Sequence, residues 1–257
     1  MAFGSRSQSI RKSARLWLLS SVLVLAACAQ KPAPAGINDP DEAKNREIHA
    51  FNLAVDRAVL KPLSGGATGS IPTPVKDGLS NFAANADAPA DVVNNLLQGR
   101  PHHALENTFR FVVNTTIGLG GLFDPARAIG VDGRPTDFGE TMHVWGAGEG
   151  SYLVLPLIGP STERDLVGSI VDVAINPLRV LLPQAERNGV TLAKLGARIG
   201  DRSTYSETVD QVLYESADSY AQARLLYLQN RRYRLGQTTG EAADDAFLDP
   251  YEDPYGN

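Results

Sequence analysis

Apolar residues recur at spacings of three and four along most of the chain, which is the signature of helices with one apolar stripe. The stretch "DEAKNREIHAFNLAVDRAVLKP" places Ile48, Phe51, Val55 and Val59 on one such stripe, with Asn38 and Asp39 as candidate N-caps ahead of Pro40. "LSGGATGSIPTP" breaks the pattern as a loop. A second helix is expected from about Val75 to Asn85, and Pro89 opens a third, carrying Val92, Val93, Leu96 and Leu97, that ends at Gly99. Pro101 starts a fourth, whose apolar face is Leu105, Phe109, Val112, Val113 and Ile117 and which a glycine cluster closes. Residues 130–160 lose the helical period, and only "SYLVLPLIG" reads as a short strand. From Asp165, "DLVGSIVDVAINPLRVLLPQ" is apolar on nearly every face but is interrupted by Asp172, Asn176 and Pro177, which suits a broken helix pair better than a membrane span. The last helix is "SADSYAQARLLYLQNRRYRLG", with Ser216 as cap, Arg231, Arg232 and Arg234 near its negative end, and Gly236 to close it. The fold class expected is mainly α, one domain, with a short irregular or β segment around 130–160.

The N-terminus carries a different signal. Four basic residues and no acid precede a mostly apolar run from Leu16 to Ala27, the layout of a secretory signal peptide and too short to cross a bilayer. Leu25, Ala26 and Ala27 before Cys28 resemble the lipobox of bacterial lipoproteins, so Cys28, the only cysteine, is the expected lipidation site and mature N-terminus. Several acyl chains on one residue hold a protein to a membrane, where one chain binds only reversibly. Ala29 in the next position implies delivery to the inner leaflet of the outer membrane. Residues 1–27 are thus assigned as signal peptide, 28–37 as lipidated N-terminus and Pro/Ala tether, 38–236 as the domain, and 237–257 as an acidic, disordered tail. The tether spans less than roughly 30 Å, which keeps the domain against the bilayer.

Charge narrows the functional classes. The formal charge of −5 becomes −9 once residues 1–27 are removed, with 20 basic side chains against 29 acidic. Nucleic acid and anionic lipid surfaces are disfavoured as electrostatic partners. Catalytic chemistry is equally sparse. The sequence has no G-x-S-x-G, and its one thiol is committed to the anchor. His102 and His103 are adjacent, so on a helix they diverge by about 100° and do not chelate one ion as an i, i+4 pair does. His143, near Glu140 and Glu149 in "ETMHVWGAGEG", is the best acid–base candidate, yet a structural role suits it as well. Asp165 and Asp172 share a helix face, too common a pairing to signal a glycosidase. "GLGGLFDP" sets Gly118, Gly120 and Gly121 among Leu119, Leu122 and Phe123, without the lysine of a phosphate loop. Either it is a helix stop and turn, or it has a lipid-contact or gating role.

Longer stretches carry a resemblance. "NDP" at 38–40, "GLSNF" at 78–82, "LLQG" at 96–99, "TFRFVVNTTIGLGGLFDPA" at 108–126, "DFGET" at 137–141, "WGAGEGSYLVLPLIGPSTERD" at 145–165 and "DSYAQARLLYLQNRR" at 218–232, in that order, resemble the MlaA/VacJ family of outer-membrane lipoproteins. The resemblance implies a ring-like helical domain lying in the inner leaflet, with an amphipathic channel through which mislocalised phospholipids leave the outer leaflet. It also implies a trimeric porin as partner and a periplasmic lipid-carrier protein as recipient. It implies no enzyme activity, metal or cofactor. The channel residues expected are Phe109, Val113, Ile117, Gly118, Leu119, Gly120, Gly121, Leu122 and Phe123. Two other readings stay open: a lipoprotein hydrolase working around His143, and a structural lipoprotein bound to a porin.

Overall fold

The computed structural model describes residues 36–64 and 72–237. The signal peptide, Cys28, the tether up to residue 35 and the tail from residue 238 lie outside them. Ten helices and one hairpin make up the described residues: α1 (Glu42–Val55), α2 (Thr73–Leu97), α3 (Pro101–Thr116), α4 (Pro125–Ala128), α5 (Phe138–Val144), β1 (Tyr152–Leu155), β2 (Gly159–Thr162), α6 (Glu163–Ile175), α7 (Pro177–Leu181), α8 (Gln184–Thr204), α9 (Ser206–Asp210) and α10 (Ser219–Arg234). Two π-helical turns, Asp56–Leu60 and Gln211–Glu215, continue α1 and α9. The expected mainly α class stands, with a single two-stranded sheet.

Several expected boundaries change. The helices expected at 75–85 and 89–99 are one, because Pro89 sits inside α2 without ending it. Proline removes one backbone bond, but α2 runs between α3 and α8 and is held on both sides. The small residues Ala86, Ala88 and Ala90 around that proline are buried. Residues 130–160 are less irregular than expected: Asp137 accepts the Glu140 amide and so caps α5, and the expected strand is a hairpin with register Tyr152↔Thr162 to Leu155↔Gly159. Asp218, not Ser216, caps α10 by accepting the Ala221 amide, and Ser216 instead donates to the Val212 carbonyl. Asn38 and Asp39 are not caps of α1; its N-cap position is Asp41. α7 is separate from α6, as expected, with Asn176 accepting the Leu178 amide at the break.

α1 serves as a side-chain substitute for a third strand. Asn45 donates to the Tyr152 carbonyl and accepts from the Val154 amide at 2.9 Å. Two turns on, Asn52 does the same with the Leu155 carbonyl and the Leu157 amide. The free edge of β1 is thereby satisfied without another strand. Under it lies the main apolar cluster: Tyr152, Val154, Tyr220 and Leu228, flanked by Ile48 and Tyr227. The chain before α1 is fastened to the same region, since Asn38 accepts the Tyr152 amide and donates to the Gly150 carbonyl, while Arg232 reaches the Gly36 carbonyl. Asp39 joins Tyr220 and Arg224 of α10.

The distribution of polarity is inverted. Among the described residues only ten hydrophobic side chains are buried, six of them alanine, against fifteen polar or charged ones, while 29 large hydrophobic residues are exposed. A protein surrounded only by water rarely exposes large contiguous apolar patches. Its buried charges and amides also require partners, which here they largely have. None of the helices among the described residues is long and apolar enough to cross a membrane.

Candidate functional site

α3 has two faces with opposite use. Pro101 starts it at the position where a missing N–H costs nothing. The inner face is Ala104, Asn107 and Asn114, all buried. Asn107 donates to the Arg134 carbonyl and accepts the Arg134 amide, and Asn114 donates to Asp124 and accepts the Ala126 amide. Arg110 completes this edge with a 2.8 Å ion pair to Asp124, which keeps that carboxyl below its ordinary range against the opposing effect of burial. Leu105, Phe109, Val112 and Ile117 point the other way and are exposed. The apolar stripe expected from the sequence exists, but it faces outward and the polar stripe forms the contact.

The segment after α3 is tightly built. Leu119, Gly120 and Gly121 all have positive φ, at 53°, 74° and 96°. Gly120 and Gly121 donate to the Thr115 and Asn114 carbonyls, and Phe123 to that of Gly118. A Cβ on Gly118 would lie 2.4 Å from the Asn114 and Phe123 carbonyl oxygens, and one on Gly121 would lie 2.6 Å from Asn85. Gly118 thus lets the turn close on the end of α3, and Gly121 lets it fold against α2, where Asn85 bonds Thr115 and Asn81 reaches the Leu122 carbonyl. The side chains are directed out: Ile117 is 70% exposed, Leu119 66% and Phe123 62%, with Leu122 also exposed. Of the nine residues expected to line a lipid path, Phe109, Ile117, Leu119, Leu122 and Phe123 form this outer ridge. Val113 is half-buried, Gly118 and Gly121 are buried backbone, and Gly120 is at the surface.

Behind the ridge, α2, α5, α6 and α10 are joined by a polar network that the sequence reading mostly missed. Asn94 on α2 donates to Asp172 on α6 and accepts from Thr141 on α5. Gln98 donates to Thr136 and Thr141. Asp172 also accepts the Phe138 amide, so the residue read as an interruption is a junction. α5 and α6 approach so closely that a Cβ on Gly168 would lie 2.4 Å from the Gly139 nitrogen. Arg231 was expected to serve the end of α10; instead it is buried, paired through two nitrogens with Asp137 at 2.7 Å and with Asp165 at 2.7 Å. Tyr227 donates to the other oxygen of Asp165 at 2.5 Å. Burial pulls the Arg231 pKa down, but its two carboxylates outweigh that and hold it above its ordinary value. The only sequence hint was Asp137 three residues before Glu140, a capping pattern that fixes Asp137 at a helix start.

Two charged groups, Arg164 buried and Asp91 half-buried, lack such balance. Arg164 is 3% exposed, its guanidinium nitrogens have no hydrogen-bond acceptor among the described residues, and Asp165 lies 3.6 Å from Nε. Asp165 is already held by Arg231 and Tyr227. Arg164→Met is therefore expected to leave the melting temperature unchanged or raise it, since replacing a poorly paired buried charge by an apolar side chain of similar volume is often neutral or stabilising; thermal unfolding by circular dichroism measures it. Asp91 accepts the Thr136 amide but is pushed up to about 7 by burial, with Asp87, Asp172 and Asp137 adding repulsion. The folded state then holds a proton that the unfolded chain releases near pH ~4. Stability contributed by this group is complete below that pH and falls as pH rises towards 7. Asp91→Asn is expected to match the parent in urea unfolding at pH 4 and exceed it at pH 8 by roughly 2 kcal/mol.

His143 on α5 makes no side-chain hydrogen bond among the described residues, and burial, with Arg164 nearby, lowers its pKa. His102 lies 3.4 Å from Glu106 on the exposed start of α3. No group of three or more His, Cys, Asp or Glu positioned to hold a metal occurs among the described residues.

The family model of the MlaA lipoprotein matches residues 37–234. The chain is 32% identical over 229 residues to the intermembrane phospholipid transport system lipoprotein MlaA of Haemophilus influenzae, covering 86% of this chain and 89% of that one. To its Escherichia coli K12 counterpart it is 30% identical over 240 residues, covering 92% and 90%. An uncharacterised protein of Rickettsia felis is 35% identical over 189 residues, covering 73% and 74%. A solved structure, described as the structural basis for maintenance of bacterial outer membrane lipid asymmetry, superposes with a TM-score of 0.66 at 30% identity, covering 77% of this chain and 98% of that one.

Proposed function

The chain belongs to the MlaA lipoprotein family, and on that premise we propose that it removes mislocalised phospholipids from the outer leaflet of the outer membrane and passes them to a periplasmic carrier. In this reading Cys28 carries the lipid anchor, the domain lies in the inner leaflet beside a trimeric porin, and Phe109, Val113 and the segment Ile117–Phe123 border an amphipathic path. The inverted polarity carries the proposal: exposed apolar side chains stand on a polar, hydrogen-bonded interior.

The energetics require such a surface. A two-tailed phospholipid exposes ~30 methylenes to water, at ~0.8 kcal/mol each, or roughly 24 kcal/mol. Thermal motion does not supply that, so tails must stay covered along the way. The ridge offers cover, and the rigid turn behind it keeps Leu119, Leu122 and Phe123 presented outward without a hydrophobic core beneath them. Deleting the gene should increase outer-leaflet phospholipid, read by enzymatic tagging of surface lipid, and the wild-type chain should restore it. Unchanged surface lipid in the deletion strain would refute the proposal.

A further inference from the structure

A cleft of about 220 Å³ opens beside the Arg231 network, lined by Asp137, Asp165, Ser169, Asp172, Tyr227 and Arg234 among others. Within it, Asp137 and Asp165 are neutralised in part by Arg231, but two opposite charges are left over. Asp172 is held only by an amide N–H and the Asn94 side chain, with no cation on it among the described residues. Arg234 is exposed and makes no ion pair within 4 Å among the described residues, acting on Asp137 only at longer range. A cavity with a carboxylate and a guanidinium that each lack a direct ion-pair partner suits a ligand that carries both charges.

The helix that forms one wall also suits two tails. At about 100° per residue, Asp165, Ser169 and Asp172 fall within an arc of roughly 60° on α6, and Ile170 and Val173 lie roughly 100° further round. Both of those apolar residues are exposed. One helix thus sets a charged cleft next to a bare apolar stripe, an arrangement matched to an amphiphile lying across it.

We propose that this cleft seats the zwitterionic head group of a phosphatidylethanolamine-type lipid, its ammonium on Asp172 and its phosphate on Arg234, with the tails running along Ile170 and Val173. The proposal rests on the phospholipid-transport reading above and adds a head-group preference to it. The size is consistent: at ~30 Å³ per water the cleft holds about seven waters, close to the roughly eight non-hydrogen atoms of phosphoethanolamine, and far less than a whole lipid. An anionic glycerol head group brings Asp172 hydroxyl donors but no positive charge, and with three carboxylates against two guanidiniums the cleft repels its net charge.

Calorimetric titration of the purified full chain with dihexanoyl phosphatidylethanolamine, kept below its micellar concentration, tests this against dihexanoyl phosphatidylglycerol. The ethanolamine lipid should bind at least tenfold more tightly. Arg234→Gln should weaken it at least fivefold, and Ser169→Trp, which fills the cleft from an exposed position, should abolish the preference. Free phosphoethanolamine should compete, whereas inorganic phosphate should not; competition by phosphate alone would reduce the site to an anion site and overturn the proposal. Equal binding of the two lipids, or a preference that survives Ser169→Trp, also overturns it. If surface phospholipid still rises on gene deletion while the lipids bind equally, the cleft assignment fails and the transport reading stands.

Discussion

Arg231→Leu should lower the melting temperature by roughly 10 °C. The guanidinium is buried and bridges Asp137, which starts α5, to Asp165, in the first turn of α6. Removing it leaves two mutually repelling carboxylates, the first partly and the second mostly shielded from water, and deleting one partner of a buried ion pair typically costs 3–5 kcal/mol, with each kcal/mol worth about 2–4 °C in a domain of this size. Arg231→Lys should recover only part of the loss, because an ammonium cannot hold both carboxylates with the planar fork. Thermal unfolding followed by circular dichroism distinguishes the cases. If Arg231→Leu melts within about 2 °C of the parent, the network is ornamental and the account of the interior given above is wrong.

Leu122→Asp should abolish function while leaving the fold intact. Leu122 is exposed, and its backbone carbonyl, which receives Asn81, is unaffected by the change. Its side chain projects from the turn whose conformation the glycines set. If Leu122 borders the proposed lipid path, a carboxylate there adds about 3 kcal/mol to the passage of each tail, slowing it roughly 100-fold. The strain carrying this variant should show as much surface phospholipid as the deletion strain, at normal protein abundance and with a melting temperature within about 2 °C of the parent. Leu122→Met, which keeps the surface apolar, should behave as the parent. A structural lipoprotein that only bridges a porin to the periplasm predicts no change in surface lipid for either variant.

The pattern of apolar residues located α3, α6, α7 and α10 because each begins at a residue with a specific backbone preference, such as Pro101 or Pro177, and ends at a glycine or a polar break. It could not say which stripe of α3 faces the protein. Period alone marks Leu105, Phe109 and Val112 as a face, and in water that face is the inner one; here asparagines at 107 and 114 do the packing. Pro89 misled for a related reason: its helix-breaking tendency is local, while the support from α3 and α8 is not. α8 escaped notice altogether. Leu192, Leu195 and Ile199 are spread among Gly189, Gly196 and Gly200, which weaken an isolated helix; at Gly196 and Gly200 a Cβ would meet Leu79 and Lys76 only at ordinary contact distance. Apart from the capping pattern at Asp137, the polar network left no trace in the pattern, since Asn94, Asp137, Asp165 and Arg231 lie far apart in sequence and none is unusual by itself.

The fastening of residues 36–39 has a mechanical meaning. Any tug on the chain from its N-terminal side arrives first at Gly36 and Asn38, whose bonds run to Arg232, Tyr152 and Gly150, and at Asp39, gripped by Tyr220 and Arg224. The load is shared between the hairpin and the longest-range partner in the fold before α1 feels any of it. A domain moored in this way resists peeling from one end, so a pull from the N-terminal side strains several bonds in parallel rather than unzipping the first helix.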